Sequence, residues 1–247
     1  MSEHAQRNYF KLDAAETHST ASLLQRRIEE RFPGCGLSSV ATEVATVTQV
    51  TGARVAELSR PFWPLRITSL LLLGLTLVSL LYGLIFGVNW TNLTTQVRFA
   101  DLIGVIEPTF GTSVWVGAFW VFTWSLETRW KHRRILEAIN ELRSLIHVVD
   151  MHQLTKDPER AKRPGPDTAS SPTRKMTTFE LGRYLDYCSE LLSIISKVAV
   201  LYGQSFPDTV ILGATDQVES LASGLSRKIW QKLVLLEADG SKALPRG

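Results

Sequence analysis

His147, Asp150 and His152 come closer than any other residues of this chain to a ligand set. A helical metal pair needs histidines at i and i+4, on one face. These two are five apart, about 140° around a helix, so both cannot aim at one ion unless the helix breaks. His147 and Asp150 do share a face, which suits a hydrogen-bonded pair. Tyr184, Asp186 and Tyr187 lie on a later helix and could join them across a bundle. The reading adopted is a structural polar cluster, with no metal and no cofactor. A small-ligand site is one alternative, and an enzyme acting at a membrane face through His147, Asp150 and His152 is another.

No other spacing carries chemistry. There is no phosphate-binding glycine loop, no nucleophile elbow and no paired-carboxylate signature, so a non-enzymatic role is expected. Cys35 and Cys188 stand far apart in the sequence and offer neither a disulfide framework nor metal spacing. Two free thiols fit a reducing compartment. A net charge of +3 is mild, and the basic residues lack the aromatic interleaving of a nucleic-acid surface, so no nucleic-acid partner is expected.

The elements that must position these residues begin with a membrane signal. The average figures hide it: hydrophobic content is 45% and mean hydropathy +0.03. Between Arg66 and Arg98 there is no charged residue and no histidine. Residues 67–88 are almost wholly apolar and would make roughly 33 Å of helix, enough for a bilayer core of about 30 Å. This run starts too late for a cleaved signal peptide and is too long for a signal core, so it should persist as an anchor. A second uncharged run, 108–126, is rich in aromatics and supplies the return path. Trp63 and Trp90 bracket the first span as interface anchors. Pro61 and Pro64 sit just before it, where proline is tolerated.

Basic residues set the orientation. Arg54, Arg60 and Arg66 precede the first span, and a collar of Arg129, Lys131, Arg133 and Arg134 follows the second, beside the lipid head groups. The loop between, 89–107, holds only Arg98, offset by Asp101 and Glu107. Both termini are therefore expected in the cytoplasm. Asn89 and Asn92 begin formal glycosylation sequons, taken as chance, and 97–106 has the pattern of a short surface helix. Ser79, Gly83 and Gly87 form a small-residue stripe, as do Ser113 and Gly117 in the second span, which lets helix backbones approach closely. The stripe serves either packing of the two spans within one chain or a homo-oligomer seam.

The remainder reads as helix. Residues 1–60 form an N-terminal cytoplasmic arm: a polar, disordered stretch to about residue 20, a short helix from Ser22 to Phe32 stopped by Pro33-Gly34, and a second from Ser38 to Ser59. In the second, Val40, Val44, Val47, Thr51 and Leu58 approach a heptad seam that Arg54 interrupts. It is either a coiled-coil stalk or a helix packed on the C-terminal domain. The hairpin occupies 61–127, and 128–157 continues the second span into the cytoplasm with a stripe of Ile135, Ile139, Leu142, Ile146 and Val149. Residues 158–176 are a Pro- and Ser-rich linker. Thr177 to Glu180 has the capping-box pattern and opens a helical hairpin over 177–237, turned at Ser205 to Asp208. Residues 238–247 form a disordered tail. The fold class is thus an all-α membrane protein, a two-helix transmembrane hairpin carrying a cytoplasmic antiparallel helical bundle.

Leu142 to Pro158 and Gly224 to Leu233 resemble segments of an uncharacterised family of bacterial two-span inner-membrane proteins. The resemblance covers roughly residues 66 to 236. It implies a bacterial inner membrane and brings no activity with it. The expected function is an inner-membrane anchor whose bundle binds a protein partner or a second copy, as scaffold, sensor or signalling adaptor. The alternative is an oligomeric pore or membrane-perturbing effector lined by hydroxyls of the second span.

Overall fold

The structure, a computed structural model, describes residues 11–60, 63–87, 99–158, 169 and 176–240. The side chains of 59, 65, 79–80, 83–84, 86–87, 99–110, 112–113 and 238–240 are outside that description. The described residues are helical, with no strand among them. The described residues form, in order, α1 (Ala14–Arg31), α2 (Gly36–Ser59), α3 (Trp63–Gly87), α4 (Phe99–Leu154), α5 (Thr178–Ser205) and α6 (Thr209–Gly240). The chain divides into two compact units, one of residues 1–59 with 134–247 and one of residues 60–133.

The first unit is a bundle whose core takes residues from five helices. The apolar stripe of α4 is fully buried, with Ile135, Ile146 and Val149 at 0% exposure. It meets Leu185, Leu192, Ile195 and Val198 of α5, and Ile211, Val218 and Ile229 of α6, in one cluster. Each such side chain contributes about 1.5–3 kcal/mol by leaving water. Helix directions follow from pairs along the contacts. Arg27 of α1 meets Glu190 while Leu12 N–H donates to Gln204 Oε1, so α1 runs antiparallel to α5. Arg54 of α2 meets Glu141 while Gly36 abuts His152, so α2 runs antiparallel to α4. Arg143 pairs with Gln217 and Lys232 with Gln153, so α4 and α6 run parallel.

The N-terminal region is more ordered than its composition suggests. Helix α1 begins at Ala14, not Ser22, because Asp13 caps it: its Oδ1 accepts from Ala15 N–H at 2.7 Å and its carbonyl from Thr17 N–H at 3.1 Å. Only Thr17, Ala21, Leu24 and Ile28 of α1 are buried, a stripe thin enough to pass for a solvated helix in the sequence. The expected seam of α2 is the face that packs: Val44 is 2% exposed and Thr51 0%. The open choice between stalk and packed helix is thereby resolved, since α1 and α2 pack on each other and on α5. Arg54 leaves the seam to reach Glu141 Oε2 at 3.0 Å.

Several local expectations hold. Gly34, with φ +67, turns the chain between α1 and α2, a conformation that costs glycine little. Helix α4 ends at Leu154, ahead of Pro158. Thr177 and Glu180 form a full capping box. Asp208 opens α6, its Oδ1 accepting from Val210 N–H at 2.9 Å. Of the expected linker, 159–168 and 170–175 fall outside the described residues. So do residues 1–10 of the arm, 88–98 of the loop with Asn89 and Asn92, and 241–247 of the tail.

The second unit holds α3 and the first part of α4. Helix α4 begins at Phe99 and passes through Pro108, where the sequence starts a span. A proline inside a helix removes one backbone hydrogen bond without necessarily ending the helix. Among the described residues, no helix is long and apolar enough to cross a membrane. Of the small-residue stripe, Ser79, Gly83, Gly87 and Ser113 lie outside the described side chains. A Cβ built on Gly117 meets nothing within 4 Å.

Candidate functional site at the bundle end

Four helix termini meet at one end of the bundle: the finish of α1 and α4, and the start of α2 and α5. Phe32 closes α1, its N–H donating to Ile28 O at 2.8 Å. Its ring then stands edge-on to two tyrosines of α5, with centroids 5.5 Å from Tyr184 and 6.2 Å from Tyr187. Edge-to-face contacts of this kind satisfy the ring quadrupoles.

Cations cover the outer faces of these rings. Arg27 and Arg183 lie over Tyr187 at 5.3 and 5.1 Å, and Lys156 over Tyr184 at 5.1 Å. Arg31 lies 5.7 Å over Phe179, which is 67% exposed. Acids balance part of this charge. Arg27 forks onto Glu190 at 2.9 and 3.3 Å, and Arg183 holds Asp186 at 2.9 Å. Burial pushes the Tyr187 phenol up, but the guanidiniums of Arg183 and Arg31 outweigh it and hold the group below its ordinary value. Tyr184 lacks that help, and burial drives its phenol well above the usual range.

Beneath the rings lie the two thiols. Cys188 is fully buried, and burial pushes its thiol up to about 12. Cys35, partly buried on the turn into α2, adds to that rise. Residues far apart in the sequence are thus neighbours in space, both as free thiols. Lys232 of α6 reaches the end of α4, donating to Gln153 O at 2.9 Å and Oε1 at 2.7 Å. Burial lowers its ammonium below the usual value, against the pull of Asp157 and Asp150.

The sequence-based cluster is only partly assembled. His147 is exposed. Asp150 accepts from Gln153 Nε2 at 2.5 Å. His152 is half-buried against Gly36, with Nδ1 3.1 Å from where a Cβ would stand. Tyr184 is in the core, and Asp186 is held by Arg183 of its own helix. Among the described residues no hydrogen bond joins either histidine to Asp150, and no group of three His, Cys, Asp or Glu is placed to hold a metal ion. The collar residues are placed on α4, with Arg129, Arg133 and Arg134 exposed. Lys131 is mostly buried, bonded to Glu127 at 2.9 Å and to Arg60 O at 2.8 Å.

Sequence reasoning did not single out Arg27, Phe32, Lys156, Arg183 or Lys232. One signal was available: Arg183 and Tyr187 stand at i and i+4, a spacing that brings side chains together on a helix. Nothing local marks Lys232, whose role depends on where α4 stops.

Chemically, this end offers aromatic faces and cations. Its two buried acids, Cys188 and Tyr184, are held protonated. Such a surface is suited to packing and recognition. Comparison with family models, with curated proteins and with solved structures gives no match for this chain.

Proposed function

We propose that this chain is a non-enzymatic inner-membrane protein, in which α3 and the first part of α4 form a two-span anchor and the bundle binds a partner protein or a second copy as scaffold, sensor or adaptor. The observation that carries the reading is the apolar surface of the second unit. Leu71 is 68% exposed, Leu75 66%, Val78 65%, Trp115 78% and Val121 68%. On α3 the exposed apolar positions run 70, 71, 72, 75, 77, 78, 81, 82 and 85, which together sweep about 220° of the helix circumference and leave one face to Ser69, Leu73 and Thr76. An apolar surface that wide belongs inside a protein or inside a bilayer. Water-soluble monomers rarely expose contiguous apolar surface on this scale.

The uncharged run 67–88 and the basic excess on its flanks support a bilayer with both termini in the cytoplasm. The resemblance of Leu142 to Pro158 and Gly224 to Leu233 supports placing that bilayer at the bacterial inner membrane. Of the second span's hydroxyls, that of Thr123 is turned to a carbonyl of its own helix, as are those of Thr68, Ser69, Thr76 and Thr128 nearby. For the bundle, exposed Phe179, Met151 and Trp230 give recognition surface to a protein partner.

The test is extraction of the tagged full chain from its native membrane in mild detergent, with complex mass and co-purifying proteins measured together. The chain should resist an alkaline carbonate wash and emerge in a complex of defined mass. Release by carbonate would end the anchor reading. An isolated monomer would end the interaction reading.

A further inference from the structure

Within the second unit, α3 and α4 line a half-open pocket of about 220 Å³, with Trp120, Trp124, Leu70, Ser69, Arg66 and Glu127 among its lining residues. Its charges do not cancel. Glu127, with a side chain only 12% exposed, is gripped by Lys131 at 2.9 Å. Arg66 approaches the same carboxylate no closer than 3.6 Å, beyond hydrogen-bond reach, and its side chain is 49% exposed. Two cations thus share one carboxylate, which leaves a net charge of +1. The Arg66 guanidinium lies 5.8 Å over the Trp124 ring, which limits its freedom.

We infer that this pocket binds the phosphodiester head group of an anionic phospholipid, with Arg66 as the phosphate-binding residue. The planar guanidinium fork matches two phosphate oxygens. A single surplus positive charge fits a monoanionic diester better than a dianionic phosphate. The ammonium of a zwitterionic lipid would find Glu127 already taken by Lys131. Ser69 and Thr123 give their hydroxyl hydrogens to Arg66 O and Phe119 O. They therefore have only lone pairs to offer, which suits hydroxyls of a glycerol head group. Leu70 and the two indoles supply apolar walls for the glycerol backbone, and tryptophans favour that depth of a bilayer. The site differs from the collar, whose exposed arginines act through summed charge. This inference rests on the anchor reading.

The test uses the full chain in mild detergent, with lipids retained per chain counted by native mass spectrometry. The probes are dioleoyl phosphatidylglycerol and dioleoyl phosphatidylcholine, with millimolar inorganic phosphate as competitor. One phosphatidylglycerol per chain should be retained over phosphatidylcholine. Retention should fall about tenfold in Arg66→Gln, roughly one charge-assisted hydrogen bond's worth, and far less in Arg129→Gln. Glu127→Gln should raise retention, an effect opposite to that of a misfolded pocket. Equal retention in Arg66→Gln, equal losses in Arg66→Gln and Arg129→Gln, or weaker retention in Glu127→Gln would overturn the inference. Displacement by inorganic phosphate would overturn the lipid assignment. A chain soluble without detergent would fail the anchor reading itself, whereas a membrane-extracted chain whose lipid retention ignores Arg66 would fail this inference alone.

Discussion

Phe32 sets its ring edge-on to that of Tyr184, with centroids 5.5 Å apart and planes at 73°. This contact joins the last residue of the α1 region to the first turns of α5, across more than half the chain. It fixes the end of the bundle where the aromatic and cationic residues gather.

Removing that ring should loosen the end. Phe32 is 8% exposed, and a buried Phe→Ala change costs about 3–5 kcal/mol. Thermal unfolding of the full chain in detergent should show Phe32→Ala strongly destabilised. A double-mutant cycle with Tyr184→Leu should return a coupling of about 0.5–1.5 kcal/mol beyond the area lost. Strict additivity would mean that the two rings act as independent fillers.

A side chain at Gly36 requires the His152 imidazole to move. A Cβ there would collide with the imidazole, whose Nε2 also lies within 3.2 Å. Gly36→Ala should destabilise the bundle by about 1–3 kcal/mol, the usual cost of overpacking. His152→Ala should recover most of that loss in the double variant. A silent Gly36→Ala would mean that the imidazole swings aside without cost.

Which of these contacts could be read in the sequence depends on their range. The capping box at Thr177, the turn at Gly34 and the stripe from Ile135 to Val149 are local patterns, and all appear where the spacing puts them. The helix from Ala14 depends on one aspartate, Asp13, in a polar stretch, and was hidden by the low apolar content around it. Arg54 looked like a flaw in a seam because its partner, Glu141, lies on another helix. The residues gathered at the bundle end escape a local reading for the same reason. His147, Asp150 and His152 are close in sequence but point to different surroundings, while Phe32, Lys156, Tyr184 and Lys232 converge only through the fold.

Tyr202 carries a cost that can be removed. The residue is 1% exposed, and its hydroxyl makes no hydrogen bond of good geometry, although the Arg54 guanidinium lies close enough to interact with it. Arg54, whose charge acts on it, is hydrogen-bonded to Glu141. An unmet buried polar group costs about 1–3 kcal/mol. Tyr202→Phe should therefore leave the melting temperature unchanged or raise it. A clear fall would reveal a hydrogen bond to Arg54 or to a buried water.

Several groups shape the alkaline limb of stability: Tyr184 adds to the decline and Tyr187 opposes it, and Cys188 and Lys232 form the pair that substitution separates most simply. Cys188 is held up at about 12, against an ordinary value of 9.0. Between those values the folded chain keeps a proton that the unfolded chain has lost, so stability falls as pH rises. Lys232 has the opposite sign. Its folded value lies below the ordinary 10.5, so the folded chain gives up its proton first and stability rises over that interval. Each group contributes a slope of at most about 1.4 kcal/mol per pH unit. Melting curves of the full chain from neutral to strongly alkaline pH separate them. Cys188→Ala should flatten the decline above pH 9, although its lost packing lowers stability at every pH. Lys232→Met should steepen the same decline, because the compensating titration is gone. Iodoacetamide at mildly alkaline pH should label Cys35 before Cys188, since burial both hides the second thiol and keeps it protonated. Parallel curves for all three proteins would show that neither group's proton affinity changes on folding.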